Sequence, residues 1–337
     1  MNPLILASTS FFFACLISLS ADAQTCIAFN DAQRVGEFSD SQISESSGLA
    51  VSSQHADLLW THNDSGDLAR IYAFSESGES RGTINLSGAS ANDWEAMAIG
   101  PCSSGSCLVI GDVGDNNRNR DAVSLWRLAE PTPTGAGTEQ IVQSSELRAI
   151  YPDGAQDCEA IAIDPLSGDI ILIEKSLSAK ARTYRVPSET WESNADADFT
   201  LLPLTTIDFE TDSLTGGLVT GADISPSGFE LFARTYIAGF HLPVVRDEAG
   251  TITGFGTPRQ VSVYDDGQCE AVAYDDTGLE LWFTCEDENG PIARATCKTT
   301  RDDETGVTTT QEGGCRATAL PWPLMLLGLA VRLRRHA

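Results

Sequence analysis

Five segments of one pattern recur along the chain and restrict it to a repeat architecture: SSGLAVSSQ from Ser46, DWEAMAIGP from Asp93, DCEAIAIDP from Asp157, VTGADISPS from Val219 and QCEAVAYDD from Gln268. Each alternates small or polar residues with apolar ones, the period of two expected of a half-buried strand. Each is followed by a turn rich in Gly, Pro, Asp or Ser and then by a second apolar run: LLWTHND, CLVIGDV, DIILIEK, ELFARTY or LELWFTC. Each segment therefore opens a β-hairpin. A third strand recurs as RIYAFS, VSLWRLA, ARTYRVP, GFHLPVV and IARATC, and a fourth, more loosely, as SRGTINL, LRAIYPD, LLPLTTIDF and PRQVSVY.

Four antiparallel strands per unit make a propeller blade, so the expected fold class is all-β, a β-propeller. The direct count is five blades, and the longer spacings after Asp93 and Asp157 leave room for a sixth. The last unit lacks a fourth strand, whereas RVGEFS, ahead of the first unit, belongs to none. A strand from the N-terminal side would complete the last blade and leave few free edges. A two-sheet sandwich is the competing architecture, but it does not predict five similar hairpins. From Val35 to about Cys297 the blades resemble those of the broad superfamily of secreted five- and six-bladed propellers with TolB-like or NHL-like blades. The resemblance implies a fold and transfers no catalytic residue.

The ends read as delivery signals. An uncharged apolar stretch from Leu4 to about Leu19 precedes Ala21-Asp22-Ala23, a pattern that signal peptidase accepts, so the mature chain is expected to begin at Gln24. At the other end Ala317 to Val331 is apolar and is followed by Arg332, Arg334 and Arg335. As a helix this stretch rises about 23 Å, short of the roughly 30 Å of a hydrocarbon core. Gly313-Gly314-Cys315, the short apolar stretch and the Arg cluster together resemble the three-part sorting tags of Gram-negative bacteria, the myxobacterial Cys-type and Gly-Gly-type tags. That resemblance implies trafficking to the cell surface, with anchoring or cleavage by a sorting protease near Cys315. A plain C-terminal membrane anchor is the alternative. The expected organisation is a signal peptide over 1–23, the propeller over 24–298, a polar linker over 299–314 and a sorting or anchor tail over 315–337. The protein is then extracellular or held at the cell envelope, touching membrane only through the tail.

A formal net charge of −27 repels phosphate backbones and anionic lipid, which excludes nucleic acid as a partner. It suits a chain that stays soluble, as a monomer, or that attracts cations. For an exported chain, disulfides are the default state of cysteine. Cys102 and Cys107 flank the SSGS turn of one hairpin, Cys269 and Cys285 lie symmetrically about a DDTG turn, and Cys26 and Cys297 sit at the two ends of the ring. These three pairs leave Cys158 as a buried thiol.

The innermost strand of a blade lines the channel, and one column of the repeats holds Ser47, Glu95, Glu159, Thr220 and Glu270. Three carboxylates near one axis require a cation, a basic partner or raised pKa values. The second strands end at a similar level with His62, Asn63, Asp64, Asp112, Asp115, Lys175, Arg234 and Glu286, among which Lys175 and Arg234 are the candidate counter-charges. Together these residues could hold a metal or a polar ligand at one mouth of the channel. Alternatively, each glutamate bonds backbone amides of the neighbouring blade and fixes blade packing. In the loop GDVGDNNRNRD, Asp115, Asn117, Asn119 and Asp121 alternate as oxygen ligands do in a calcium loop. Arg120 stands where an EF-hand needs Gly, however, and an ordered Asx-rich turn explains the same residues.

Catalytic motifs are mostly absent. Gly78-Glu79-Ser80-Arg81-Gly82 matches G-x-S-x-G but lies between strands rather than on a strand-to-helix elbow. No zinc-binding histidine spacing and no phosphate-binding or dinucleotide fingerprint occurs. Two functions remain. In the first, the propeller binds a small molecule or a protein at one channel mouth, with calcium as a structural ion. In the second, it is a metal-dependent hydrolase of a phosphoester, lactone or glycoside: Glu95, Glu159 and Glu270 hold the cation, Lys175 and Arg234 clamp an anionic group, and His62 or Asp64 lies near the attacked bond.

Overall fold

Five antiparallel sheets follow one another along the chain in a computed structural model that describes residues 26, 28–103, 105–193, 198–210 and 217–298. The chain divides into the units Met1–Lys298 and Thr299–Ala337, the second wholly outside the described residues. The expected signal peptide, linker and tail also lie outside them.

Blade 1 runs Ser46–Val51, Leu59–Asn63, Arg70–Phe74 and Ser80–Ser87 from the axis outward. Blade 2 runs Trp94–Cys102, Gly105–Asp112, Val123–Ala129 and Ser145–Ile150, and blade 3 Cys158–Ile163, Ile170–Glu174, Lys180–Val186 and Leu202–Asp208. Blade 4 is Val219–Ile224, Glu230–Thr235 and Gly239–Arg246, with its outer position split between Ile252–Phe255 and Arg259–Val261. Blade 5 is Cys269–Tyr274, Glu280–Cys285 and Pro291–Thr296, completed by Gln33–Glu37 from the N-terminal side. The ring is therefore closed by the strand expected to close it, and it has five blades.

Among the described residues the long spacings hold no sixth blade. They carry a strand, Glu139–Gln143, laid parallel on the outer edge of blade 1, a short parallel strand, Phe199–Thr200, on blade 2, and one helical turn, Thr190–Ser193. These additions cover edges that would otherwise present unpaired backbone groups.

Burial explains why the strands read as they do. Five apolar clusters lie between successive blades: Trp60 with Trp94 and Met97 between blades 1 and 2, Val109 with Ile161 and Tyr184 between 2 and 3, Ile171 with Leu231 between 3 and 4, Phe232 with Val272 and Phe283 between 4 and 5, and Leu49 with Tyr72 and Trp282 between 5 and 1. Each blade thus packs on both faces. The period-two pattern suggested strands wet on one side, yet Cys158–Ile163 is buried along its whole length. Its alternation is of small with large residues, because one face meets the neighbouring inner strand closely. Gly48, Ala96, Ala160, Gly221 and Ala271 occupy that close-contact position. A Cβ on Gly48 would stand 2.2 Å from His62 Nε2, and one on Gly221 2.5 Å from the carbonyl oxygen of Glu270.

Among the described residues three disulfides join Cys26 to Cys297, Cys102 to Cys107 and Cys269 to Cys285, and Cys158 is free and buried. Bonds of this kind persist in oxidising compartments and weakly favour export. Cys26–Cys297 joins the two ends of the ring, where Phe29 also bridges Cys297.

Candidate functional site

The site begins with a backbone irregularity repeated five times. Where each inner strand pairs with the second strand, one residue is skipped: 47 between Ser46 and Gly48, 95 between Trp94 and Ala96, 159 between Cys158 and Ala160, 220 between Val219 and Gly221, and 270 between Cys269 and Ala271. A bulge leaves its extra residue unpaired and re-aims its side chain. Ser47, Glu95, Glu159, Thr220 and Glu270 are those residues, and all are buried.

Hydroxyls lace the inner strands together. Ser47 Oγ donates to the Glu95 carbonyl at 2.9 Å and Thr220 Oγ1 to the Glu270 carbonyl at 3.1 Å. Glu270 accepts Ser47 Oγ at 3.3 Å and Gln268 Nε2 at 3.1 Å. Glu159 Oε1 bonds the Lys175 ammonium, while its Oε2 is buried with no hydrogen-bond partner.

Two further rings surround the column. The amides of Asp64, Lys175 and Glu286, just past the second strands, donate to the carbonyls of Glu45, Asp157 and Gln268, just before the first strands. Blade 2 makes the same link one residue later, from Gly114 to Asp93 at 3.2 Å. The mouth is therefore acidic around blades 5, 1, 2 and 3. Blade 4 is neutral there, with Thr220 in the column and Tyr236 after the second strand.

Asp64, Asp93 and Glu95 each offer an oxygen, and these oxygens lie within 4.8 Å of one another. Two ligands at about 2.4 Å from a shared ion span about that distance, and an all-oxygen set suits a hard cation such as Ca²⁺. Gly114 shapes the cluster, since a Cβ there would stand 2.5 Å from both Asp93 Oδ2 and Glu95 Oε1. Without an ion the charges oppose one another. Burial, then the Glu159 and Asp64 charges, push the Glu95 carboxyl well above its ordinary value. Burial raises Asp64 to about 7, with Glu270 and Asp93 contributing. Burial and the Glu270 charge raise Glu286 to about 9. Glu159 is raised by burial against the opposing pull of Lys175. Burial works against the Lys175 ammonium, but the Glu159 carboxylate beside it raises its pKa overall.

The remaining sequence candidates occupy other places. Asp112 is fully buried and accepts the amides of Asn92 and Asp93 at 3.1 and 3.2 Å and Arg120 Nη2 at 2.8 Å, so it positions Asp93. His62 is sealed between blades 1 and 2, edge-on to Trp94 at 5.6 Å, with Nδ1 on the Asn63 carbonyl at 2.8 Å; burial lowers its pKa. Arg234 is also fully buried, reaching the carbonyls of Ala271 and Tyr264 at 3.5 and 3.4 Å and lying over Phe283; burial lowers it to about 10. It presents no surface with which to clamp a ligand. In the 111–121 loop, both Asp115 oxygens are taken by the amides of Asn119 and Arg120, at 3.0 and 2.8 Å, while Asn117, Asn119 and Asp121 are exposed. That is an Asx-type turn, and the convergent oxygens lie at the mouth instead.

Asp93 and Tyr236 were missed by sequence reasoning. Asp93 was legible in principle, two residues before Glu95 in the second repeat, but only the bulge shows that both side chains reach one point. Lys175 Nζ donates to Tyr236 Oη at 3.1 Å, which places Tyr236 in the same mouth.

No family model matches the chain, and no curated protein matches it. Among solved structures, a gluconolactonase from Xanthomonas campestris is similar at 11% identity and a TM-score of 0.43, over 79% of this chain and 89% of the other. The WD40 repeats of RRP9 are similar at 8% identity and a TM-score of 0.42, over 80% of this chain and 100% of the other. At such identities and scores neither neighbour's activity carries over.

Proposed function

We propose that this is an exported binding propeller whose channel mouth takes up a hard divalent cation, calcium by donor type, on Asp64, Asp93 and Glu95, and that the ion anchors a ligand there. The observation that carries this reading is the convergence of three carboxylate oxygens within 4.8 Å. The buried, unpartnered Glu159 Oε2 beside them adds to the demand for positive charge. Metal-dependent hydrolysis is the second reading. It is favoured by the Lys175 ammonium, whose nearest charges include Glu159 and Glu95 of the same mouth.

Calorimetric titration of the purified protein with Ca²⁺, followed by melting curves, tests the first reading. The expected result is one site and a melting temperature raised by about 5–10 °C at 100 times the dissociation constant. Glu95→Gln should lose both effects. Absence of binding by Ca²⁺, Mg²⁺ and Mn²⁺ in the native protein would overturn it. Turnover of a phosphoester, lactone or glycoside by the ion-loaded protein, lost in Glu95→Gln, would move the assignment to the hydrolase.

A further inference from the structure

The mouth has a second sector that the cation does not use. Across from Asp64 and Asp93, the chain of contacts runs from Glu159 to Lys175 and on to Tyr236, whose ring also faces the ammonium at 5.4 Å. Lysine can only donate, so in the Lys175–Tyr236 bond the phenol oxygen accepts and its own proton must point elsewhere. That proton has no acceptor among the described residues. Two exposed aliphatic side chains lie on the turns that carry Lys175 and Tyr236. Leu177 is 76% exposed and Ile237 54% exposed. The two turns are joined by the Lys175–Tyr236 bond, and the Lys175 turn is packed onto blade 4 through the Ser176 amide and the Gly217 carbonyl at 2.8 Å.

Charge decides what can lie here. A divalent ion on three carboxylates leaves that cluster negative, and Glu45 and Glu270 act on it from the rim. The nearby cations are committed: Lys175 to Glu159, Arg118 to Glu174 at 3.2 Å and Arg120 to Asp112 at 2.8 Å. An anionic ligand would therefore enter against the field of the mouth and of a chain with net charge −27. An uncharged ligand can supply neutral oxygens to the ion, accept the Tyr236 proton and cover the aliphatic pair.

Resting on the cation-binding reading, we propose that the ligand is an uncharged, oxygen-bearing amphiphile: its polar head bridges the ion and the Tyr236 hydroxyl, and its alkyl or aryl body lies on Leu177 and Ile237. Binding of methyl, butyl, hexyl and octyl β-glucoside to the Ca²⁺-loaded protein tests this, measured by calorimetry below micelle concentrations, with octyl β-glucuronide as the matched anion. Affinity should tighten with chain length, by up to about fourfold for each methylene buried, and the glucuronide should bind at least tenfold more weakly than the octyl glucoside. Leu177→Ser and Ile237→Ser should flatten the chain-length dependence, and Tyr236→Phe should weaken every glucoside by about five- to tenfold, all with Ca²⁺ affinity unchanged. Failure of Ca²⁺ itself to bind would remove the cation reading. Normal Ca²⁺ binding with no glucoside binding, with affinity independent of chain length, or with the glucuronide preferred would overturn this proposal alone.

Discussion

Ser47 donates its hydroxyl to the backbone carbonyl of Glu95, 2.9 Å away across the boundary between blades 1 and 2. Both residues are the extra member of a bulge. The same displacement that turns one blade's residue toward its neighbour's backbone therefore turns the next blade's carboxylate toward the mouth. One irregularity, repeated by every blade, both laces the ring and builds the site.

Proton and cation should compete at the mouth. Asp64 and Glu286 titrate at about 7 and about 9 in the folded chain, against ordinary carboxyl values near 4. At these two carboxyls the ion-free folded state binds more protons than the unfolded state between about pH 4 and 9, so the stability they contribute is lost as pH rises through that range. Melting curves in chelator from pH 6.5 to 9 should show this decline, and saturating Ca²⁺ should reduce it by removing the Asp64 share. Ca²⁺ binding near pH 7 should also release protons, seen as a dependence of the calorimetric heat on the buffer's ionisation enthalpy.

Lys175 and Glu159 form a nearly buried ion pair. Removing one partner leaves an unpaired charge in the interior, at a cost of about 3–5 kcal/mol. Lys175→Met should lower stability in urea melts by about that amount, and adding Glu159→Gln should restore much of it. Additive effects of the two substitutions would show that the pair is not coupled.

Breaking the Cys26–Cys297 bond should loosen the closure selectively. Cys26→Ser with Cys297→Ser is expected to cost about 2–5 kcal/mol. Hydrogen exchange should speed up mainly in Gln33–Glu37 and Pro291–Thr296, the strands that the bond holds in register. Uniform acceleration across all blades would show that closure and global unfolding are one event.

His241 stacks on Phe29 at 5.5 Å and meets Phe232 edge-on, and neither ring nitrogen has a hydrogen-bond partner. Burial, with the Arg259 charge, lowers it to about 4. It is neutral when folded and takes up a proton on unfolding below its ordinary value near 6.5, so it removes up to about 3 kcal/mol as pH falls from 6.5 to 4. His241→Phe should be less acid-labile than the native chain over that window. Equal acid sensitivity of the two proteins would rule this out.

By itself the sequence determined the blades, the closing strand and the disulfide pairs. Each depends on contacts between neighbours in the chain or on the two ends of a ring: Cys269 and Cys285 face each other simply because one hairpin folds about its turn. The column of Ser47, Glu95, Glu159, Thr220 and Glu270 was legible because the repeats align. Only the tertiary structure decided which polar residues reach the mouth. His62 and Arg234 end their strands at a promising level, yet each lies on a face buried by the adjacent blade, so desolvation rather than recognition governs them. Asp93 and Tyr236 carry no motif, but they converge with Glu95 and Lys175 because bulges and inter-blade packing, which no local pattern encodes, set the direction of side chains around the axis.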